Sequence, residues 1–117
     1  MSEWKDIPRK DVDKAFDEKI EYLKKKKTIW EKLPLGGYSE SDAGDFVTLI
    51  DSAYPIKMFV LQEMSKDQYI RIGYYVVSLK KWKEKGEIQL VWGQFNPSYL
   101  KKDFLLLLEK ARKEKIL

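Results

Sequence analysis

Two strand-like segments decide the predicted fold: Tyr69-Ile70-Arg71-Ile72-Gly73-Tyr74-Tyr75-Val76-Val77-Ser78-Leu79 and Ile88-Gln89-Leu90-Val91-Trp92-Gly93-Gln94-Phe95. Both are dominated by β-branched and aromatic residues, which is typical of strands. Between them lies a lysine-rich connector, Lys80-Lys81-Trp82-Lys83-Glu84-Lys85-Gly86. We expect this connector to form the exposed tip of a hairpin.

A third strand is predicted just upstream. The segment from Ile56 to Met64 is apolar and short, and the polar residues 65–68 separate it from the strand that begins at Tyr69. Three strands in succession with short polar connections favour an antiparallel meander.

Three helices complete the prediction. The first covers residues 10–33, where apolar residues recur at near-helical spacing at Val12, Phe16, Ile20, Leu23 and Trp30. A short second helix after Ser41 has the apolar positions Ala43, Phe46, Val47, Ile50 and Ala53.

The last helix starts near Asn96-Pro97, a cap residue followed by proline at the first helical position. One apolar stripe runs along this helix: Leu100, Phe104, Leu107, Leu108 and Ala111. The predicted order is therefore α-α-β-β-β-α. It describes a single α+β domain over residues 1–117, in which residues 1–9 form a short segment that we allow to be disordered.

The composition excludes most familiar catalytic sites. The chain has no histidine and no cysteine, so it lacks the commonest acid/base catalyst, the thiol nucleophile and the usual ligands of transition metals. Nucleophilic triads that need histidine are excluded as well. A magnesium enzyme would have to use the acidic residues of the middle segment: Asp42, Asp45, Asp51 and Glu63. We predict instead a non-enzymatic binding domain that needs no cofactor and no metal.

The charge pattern is compatible with a polyanionic partner and with ordinary solvation of the helix faces. The net charge is +4, and lysine supplies most of the positive charge, because arginine occurs only at positions 9, 71 and 112. Lysine acts as a mobile point charge, whereas specific recognition of bases and phosphates favours the planar fork of arginine. The expected contacts are therefore tolerant of sequence.

No membrane association is predicted. The sequence has no run of about 18 apolar residues, and the segment Met1-Ser2-Glu3-Trp4 lacks the basic-then-apolar order of a signal peptide. We therefore expect a cytoplasmic protein.

Alternation along the long strand defines two faces. Ile70, Ile72, Tyr74 and Val76 share one face, which we assign to the core. On this assignment Tyr69, Arg71 and Tyr75 point outward, and Gly73 leaves room for a close approach to the backbone. Exposed rings beside a cation are how sheets bind single-stranded nucleic acid.

The leading hypothesis is therefore binding of single-stranded nucleic acid with little sequence preference. Aromatic rings would stack on bases and lysines would neutralise phosphates. The predicted contacts are Tyr69, Arg71, Tyr75, Lys80, Lys81, Trp82, Lys83 and Lys85. A structural alternative stays open for Trp82, whose ring could fold back over the edge of the sheet.

The competing hypothesis is a protein-interaction or homo-oligomerisation module. Leu105 and Leu106 extend the apolar surface of the last helix beyond the single stripe that a surface helix needs. Two interpretations remain open: burial between the sheet and the first helix, or an interface with a protein partner or a second copy of the chain.

Overall fold

A computed structural model of the chain describes residues 3–32, 38–64, 69–94 and 99–117. A 3-10 helix (Glu3–Asp6) leads into helix α1 (Arg9–Lys25); helices α2 (Leu79–Lys85) and α3 (Lys101–Lys113) come later in the chain. The strands are β1 (Thr28–Lys32), β2 (Tyr38–Ile50), β3 (Lys57–Met64), β4 (Tyr69–Val77), β5 (Leu90–Gln94) and β6 (Tyr99–Leu100). These elements form an α+β fold, as the sequence predicts.

The sheet is antiparallel and its strands follow the order β1-β2-β3-β4-β5. The long strand β2 pairs with β1 through its first residues and with β3 through its last ones, and the register shifts between Ala43 and Phe46. β3 lies along one edge of β4, while β5 and β6 pair with successive parts of β4. The predicted meander is present as β3-β4-β5, but the sheet extends beyond it.

Two predicted helices differ from the structure. The first ends at Lys25, because Thr28–Lys32 pairs with Tyr38–Asp42 as a strand. The predicted short helix over residues 41–53 is wrong, since residues 41–50 belong to β2 and residues 51–53 lie in the turn that follows it. Phe46 and Ile50 fit helical spacing and strand alternation equally well, and cross-strand pairing with β3 decides between them.

The connector between β4 and β5, which the sequence predicts to be a hairpin tip, forms helix α2. The Ser78 hydroxyl accepts a hydrogen bond from the Lys81 backbone N–H (3.3 Å) and so caps the first turn of α2. At the other end Gly86 adopts a left-handed conformation (φ 64°), which ends the helix. The start predicted for the last helix, Asn96-Pro97, lies outside the described residues, and α3 begins at Lys101.

Helix α1 covers one face of the sheet, called here the inner face. Val12 and Phe16 of α1 form one buried cluster with Met58 and Val60 of β3 and with Val77 of β4. Each of these side chains is at most 2% exposed. Burial of a side chain of this size stabilises the fold by roughly 1.5–3 kcal/mol, so this cluster fixes α1 on the sheet.

The described part of the segment before α1 packs against the core. The ring of Trp4 packs edge-on against Tyr54, with 5.4 Å between ring centroids, and Ile7 is buried in the core cluster. Tyr54 lies in the β2–β3 turn. The N-terminal segment therefore covers that end of the core.

Candidate functional site

Arg71, predicted to point outward, lies on the inner face and is only 6% exposed. Its Nε donates a hydrogen bond to Gln62 Oε1 (3.2 Å), and the Gln62 amide nitrogen donates to the carbonyl of Gly44 (3.2 Å). The guanidinium also lies 4.4 Å from the centroid of the Trp92 ring, a cation–π contact. These contacts hold the Arg71 side chain in one orientation.

Tyr75 shares this inner face. Its ring centroid is 4.8 Å from that of Trp92, and the Lys19 ammonium of α1 lies 5.1 Å from the ring. Burial raises the pKa of the Tyr75 hydroxyl, while Arg71 and Lys26 oppose that rise. The Tyr75 ring is therefore enclosed by the protein's own side chains.

The face assignment made from the sequence is thus inverted for β4. Its register with β3 places Tyr75, Gly73 and Arg71 opposite Met58, Val60 and Gln62, and these three β3 residues are almost completely buried. The close approach predicted at Gly73 is made by Trp92, whose ring would overlap a side chain there. Both faces of β4 carry apolar residues, so alternation alone could not identify the core face.

The remaining predicted contacts lie on α2 or at the far end of β4. Trp82 is half-buried and packs against the core cluster. Lys80, Lys83 and Lys85 are exposed, and Lys81 is half-buried. Tyr69 is 37% exposed. The structure therefore places the lysines on the surface but does not bring Arg71, Tyr75 and Trp82 together on an exposed face.

A different surface stands out on the opposite, outer face of the sheet. Two cross-strand rows of apolar side chains lie there: Val47-Leu61-Ile72 and Leu49-Phe59-Tyr74. Val47 is 66% exposed and Leu49 is 70% exposed. We call these two rows the outer patch.

Helix α3 carries the second uncovered apolar surface. Its half-buried residues form one stripe, Lys101, Phe104, Leu108 and Ala111. Leu105, Leu106 and Leu107 are 56%, 52% and 58% exposed, and consecutive helical residues project about 100° apart. No residue of α3, whose whole length the structure describes, is buried.

α3 begins on the same side of the sheet as the outer patch. Lys101 Nζ lies 2.9 Å from Glu63 Oε1, and Glu63 alternates along β3 with the buried residues Gln62 and Met64. Glu63 therefore belongs to the outer face. β6, directly before α3, pairs with Tyr69 and Ile70 of β4.

Sequence reasoning identified Leu105 and Leu106 as a candidate interface but missed Leu107, Val47 and Leu49. Leu107 falls on the apolar stripe that helical spacing predicts for the last helix. Val47 and Leu49 fall in the segment for which the same spacing predicts a helix. The signal that could have revealed a strand is the run Phe46-Val47-Thr48-Leu49-Ile50, which is rich in β-branched residues.

Comparisons of the chain with protein-family models, with curated proteins and with solved structures found no match. Within the described residues, no three or more acidic side chains are grouped so that they could hold a metal ion. In the same part of the chain, every helix is too short or too polar to cross a membrane.

Proposed function

We propose that this chain is a protein-interaction module that associates with a second copy of itself through α3 and the outer patch. The observation that carries the proposal is the exposure of Leu105, Leu106 and Leu107 in the apolar middle of α3, between charged residues at both ends of the helix. A surface helix normally needs only one apolar stripe. Here only one stripe of α3 is covered by its own chain.

The total exposed area of the chain leaves room for a partner. The chain exposes 8516 Å², whereas a monomer of 13.9 kDa is expected to expose about 6,700 Å². The radius of gyration, 16.1 Å, likewise exceeds the roughly 13.4 Å of a compact domain of this length. A standard interface buries about 800 Å² per partner, which this chain can lose and still expose a normal area.

A second copy is the occupant that fits this arrangement. The same chain carries exposed leucines on α3 and the exposed side chains of Val47 and Leu49 on the outer face of the sheet. A twofold axis would let α3 of each copy cover the outer patch of the other, so the two contacts are equivalent. Complete burial of a half-exposed leucine adds roughly 1 kcal/mol, and the patch and the helix together offer several such side chains.

The experiment is a mass measurement by multi-angle light scattering from low micromolar to near-millimolar protein. We expect the mass of the wild type to rise with concentration from 13.9 kDa toward twice that value. Leu106→Glu places a charge in the apolar contact and should keep the chain monomeric. Ile116→Glu is the matched control, because Ile116 is 76% exposed and lies beyond the end of α3.

A wild-type chain that stays monomeric at near-millimolar concentration would contradict the proposal. An equal loss of association in Leu106→Glu and Ile116→Glu would also contradict it, because the effect would then come from added charge alone. Circular dichroism of each variant separates loss of association from loss of fold.

A second proposal is that the chain binds single-stranded nucleic acid through attraction to its phosphates. The exposed lysines of α2 favour it, since they lie together on one short helix with Ser78 and Gly86 at its ends. The stacking part of the original hypothesis has no support from Arg71, Tyr75 or Trp82, because their side chains pack within the protein. Attraction to phosphates remains, and it would be insensitive to base sequence.

A fluorescein-labelled single-stranded oligonucleotide tests this second proposal at several salt concentrations. The double variant Lys80→Glu/Lys83→Glu should bind more weakly. If two phosphate contacts are lost, the slope of log K against log salt concentration should be less steep by about 1.4. Lys110→Glu/Lys113→Glu carries the same charge change on α3. Equal weakening in both double variants would argue against a site on α2.

A further inference from the structure

Strand β2 pairs with β1 over its first part and with β3 over its last part. The last contact on the β1 side is the hydrogen bond that the Ala43 N–H donates to the carbonyl of Lys27 (2.8 Å), the residue directly before β1. Beyond this bond, residues 46–50 pair with β3 alone among the residues that the structure describes. This stretch of β2 is therefore an edge of the described sheet.

The backbone hydrogen bonds show which groups point outward along this edge. The Asp51 N–H donates to the Lys57 carbonyl (2.9 Å), in register with the pairing of β2 and β3. Because hydrogen-bonded pairs alternate along antiparallel strands, the backbone groups of Leu49 and Val47 also face β3. The residues between them present their N–H and C=O groups to the edge: Phe46, Thr48 and Ile50.

The composition of this edge favours pairing with another strand. Exposed edges are usually protected by charged residues, by proline or by bulges. Here the register shift between Ala43 and Phe46 precedes the run Phe46-Val47-Thr48-Leu49-Ile50, which contains neither a charge nor a proline. The run is therefore suited to accept a further strand.

The space beside the edge is open. A groove of about 560 Å³ lies between the C-terminal part of α1 and β2, and its walls include Ile20, Leu23, Phe46 and Thr48. Helix α1 thus does not close over this part of the edge. The inner face has room for the side chains of an added strand.

We propose that a second copy of the chain adds its own β2 edge to this one, antiparallel and with Thr48 of the two copies directly opposite each other. This inference rests on the proposed self-association and specifies how the two copies meet. A twofold axis beside Thr48 brings all three outward-facing residues into hydrogen-bonded pairs, with about six backbone hydrogen bonds in total. Use of the same edge by both copies closes the pair, whereas a head-to-tail contact would continue to further copies.

The position of the outer patch supports this occupant. Val47 and Leu49 lie on the edge strand itself, and their side chains are 66% and 70% exposed on the outer face. Pairing of the two edges places these side chains beside those of the second copy. The two outer patches then form one continuous apolar surface, against which the leucines of α3 pack.

Disulfide cross-linking tests the register, because the chain has no cysteine of its own. In Thr48→Cys the two α-carbons would lie about 5.5 Å apart, a distance that a disulfide bridges. In the control Asp45→Cys they would lie about 20 Å apart, because each strand position adds about 3.4 Å. Asp45 is exposed and Thr48 is half-buried, so random collision favours the control. Under the same mild oxidation we expect Thr48→Cys to form a covalent dimer and Asp45→Cys to remain monomeric.

Thr48→Pro provides a second test that needs no cysteine. Proline removes the outward N–H and so blocks an added strand, but an edge position tolerates it because that N–H makes no bond to β3. Thr48→Val keeps the N–H and is the matched control. We expect the light-scattering mass of Thr48→Pro to stay at 13.9 kDa at a concentration where Thr48→Val is dimeric. Circular dichroism shows whether each variant is folded.

Two results would overturn the edge pairing and leave the proposed self-association intact. One is a wild type that dimerises while Thr48→Cys cross-links no faster than Asp45→Cys. The other is a folded Thr48→Pro that still dimerises. A wild type that stays monomeric at near-millimolar concentration would overturn both proposals.

Discussion

The indole ring of Trp92 occupies the space that a side chain at Gly73 would fill. Trp92 pairs directly with Tyr75, and Gly73 is the diagonal neighbour two residues earlier on β4. The same ring contacts the Arg71 guanidinium. Glycine at position 73 therefore allows one tryptophan to lie along β4 and contact both Tyr75 and Arg71.

Gly73→Ala tests this packing. The new methyl group would overlap the Trp92 ring and the carbonyl of Gly93, so we expect the free energy of unfolding to fall by about 1–3 kcal/mol, the usual range for overpacking. Urea denaturation measures it. In a Trp92→Leu background the same substitution should cost clearly less. An identical cost in both backgrounds would show that Trp92 does not cause the clash.

The stability of a Trp82 variant shows whether this ring stabilises the fold or serves as a contact for a ligand. Because it packs against the core cluster, we expect Trp82→Ala to lower the free energy of unfolding by about 2 kcal/mol, somewhat less than for a fully buried ring. Lys80→Ala, at an exposed position of the same helix, should change it by less than about 0.5 kcal/mol. A Trp82→Ala variant as stable as the wild type would restore Trp82 as a candidate contact for a ligand.

The buried hydroxyl of Tyr75 should make the folded protein less stable at alkaline pH. Burial raises its pKa in the folded state above the value of 10.0 for an exposed tyrosine. The unfolded state therefore releases this proton more readily, so the contribution of Tyr75 is fully present below pH 10 and is lost as pH rises through the folded pKa. The wild type should lose more stability in this range than Tyr75→Phe.

Phenolate absorbance provides the direct measurement for this prediction. The chain has seven tyrosines, and one of them should ionise later than an exposed tyrosine in the folded wild type. Tyr75→Phe should remove that late step. Removal of an early step instead would contradict the burial of this hydroxyl.

The strands β3, β4 and β5 could be predicted because each is a short run of β-branched and aromatic residues between polar segments. The α2 helix was also encoded locally, with Ser78 before it and Gly86 after it, but the lysines in between suggested an exposed turn. Capping by Ser78 and the left-handed conformation of Gly86 are the physical signals that define this helix.

The face of β4 could not be predicted, because the choice depends on partners distant in sequence. In the buried position of Arg71, Gln62, nine positions earlier, accepts its hydrogen bond and Trp92 covers its guanidinium. A side chain that would usually be exposed is thus accommodated by tertiary contacts.

The uncovered leucines were predicted in part. The density of leucine at positions 105–108 indicated more apolar surface than one stripe requires, but burial within the chain and an interface were equally compatible with it. The structure covers Leu108 partly and leaves Leu105, Leu106 and Leu107 more than half exposed. The outer patch adds a second apolar surface on the same side.

The most direct test of self-association is an isotope-filtered NMR experiment on a mixture of carbon-13-labelled and unlabelled chains at near-millimolar concentration. We expect intermolecular contacts between methyl groups of Leu106 on α3 and those of Val47 or Leu49 on the outer patch. The same contacts should be absent in Leu106→Glu. A wild-type mixture without intermolecular contacts at these methyl groups would contradict the proposal that a second copy covers α3 and the outer patch.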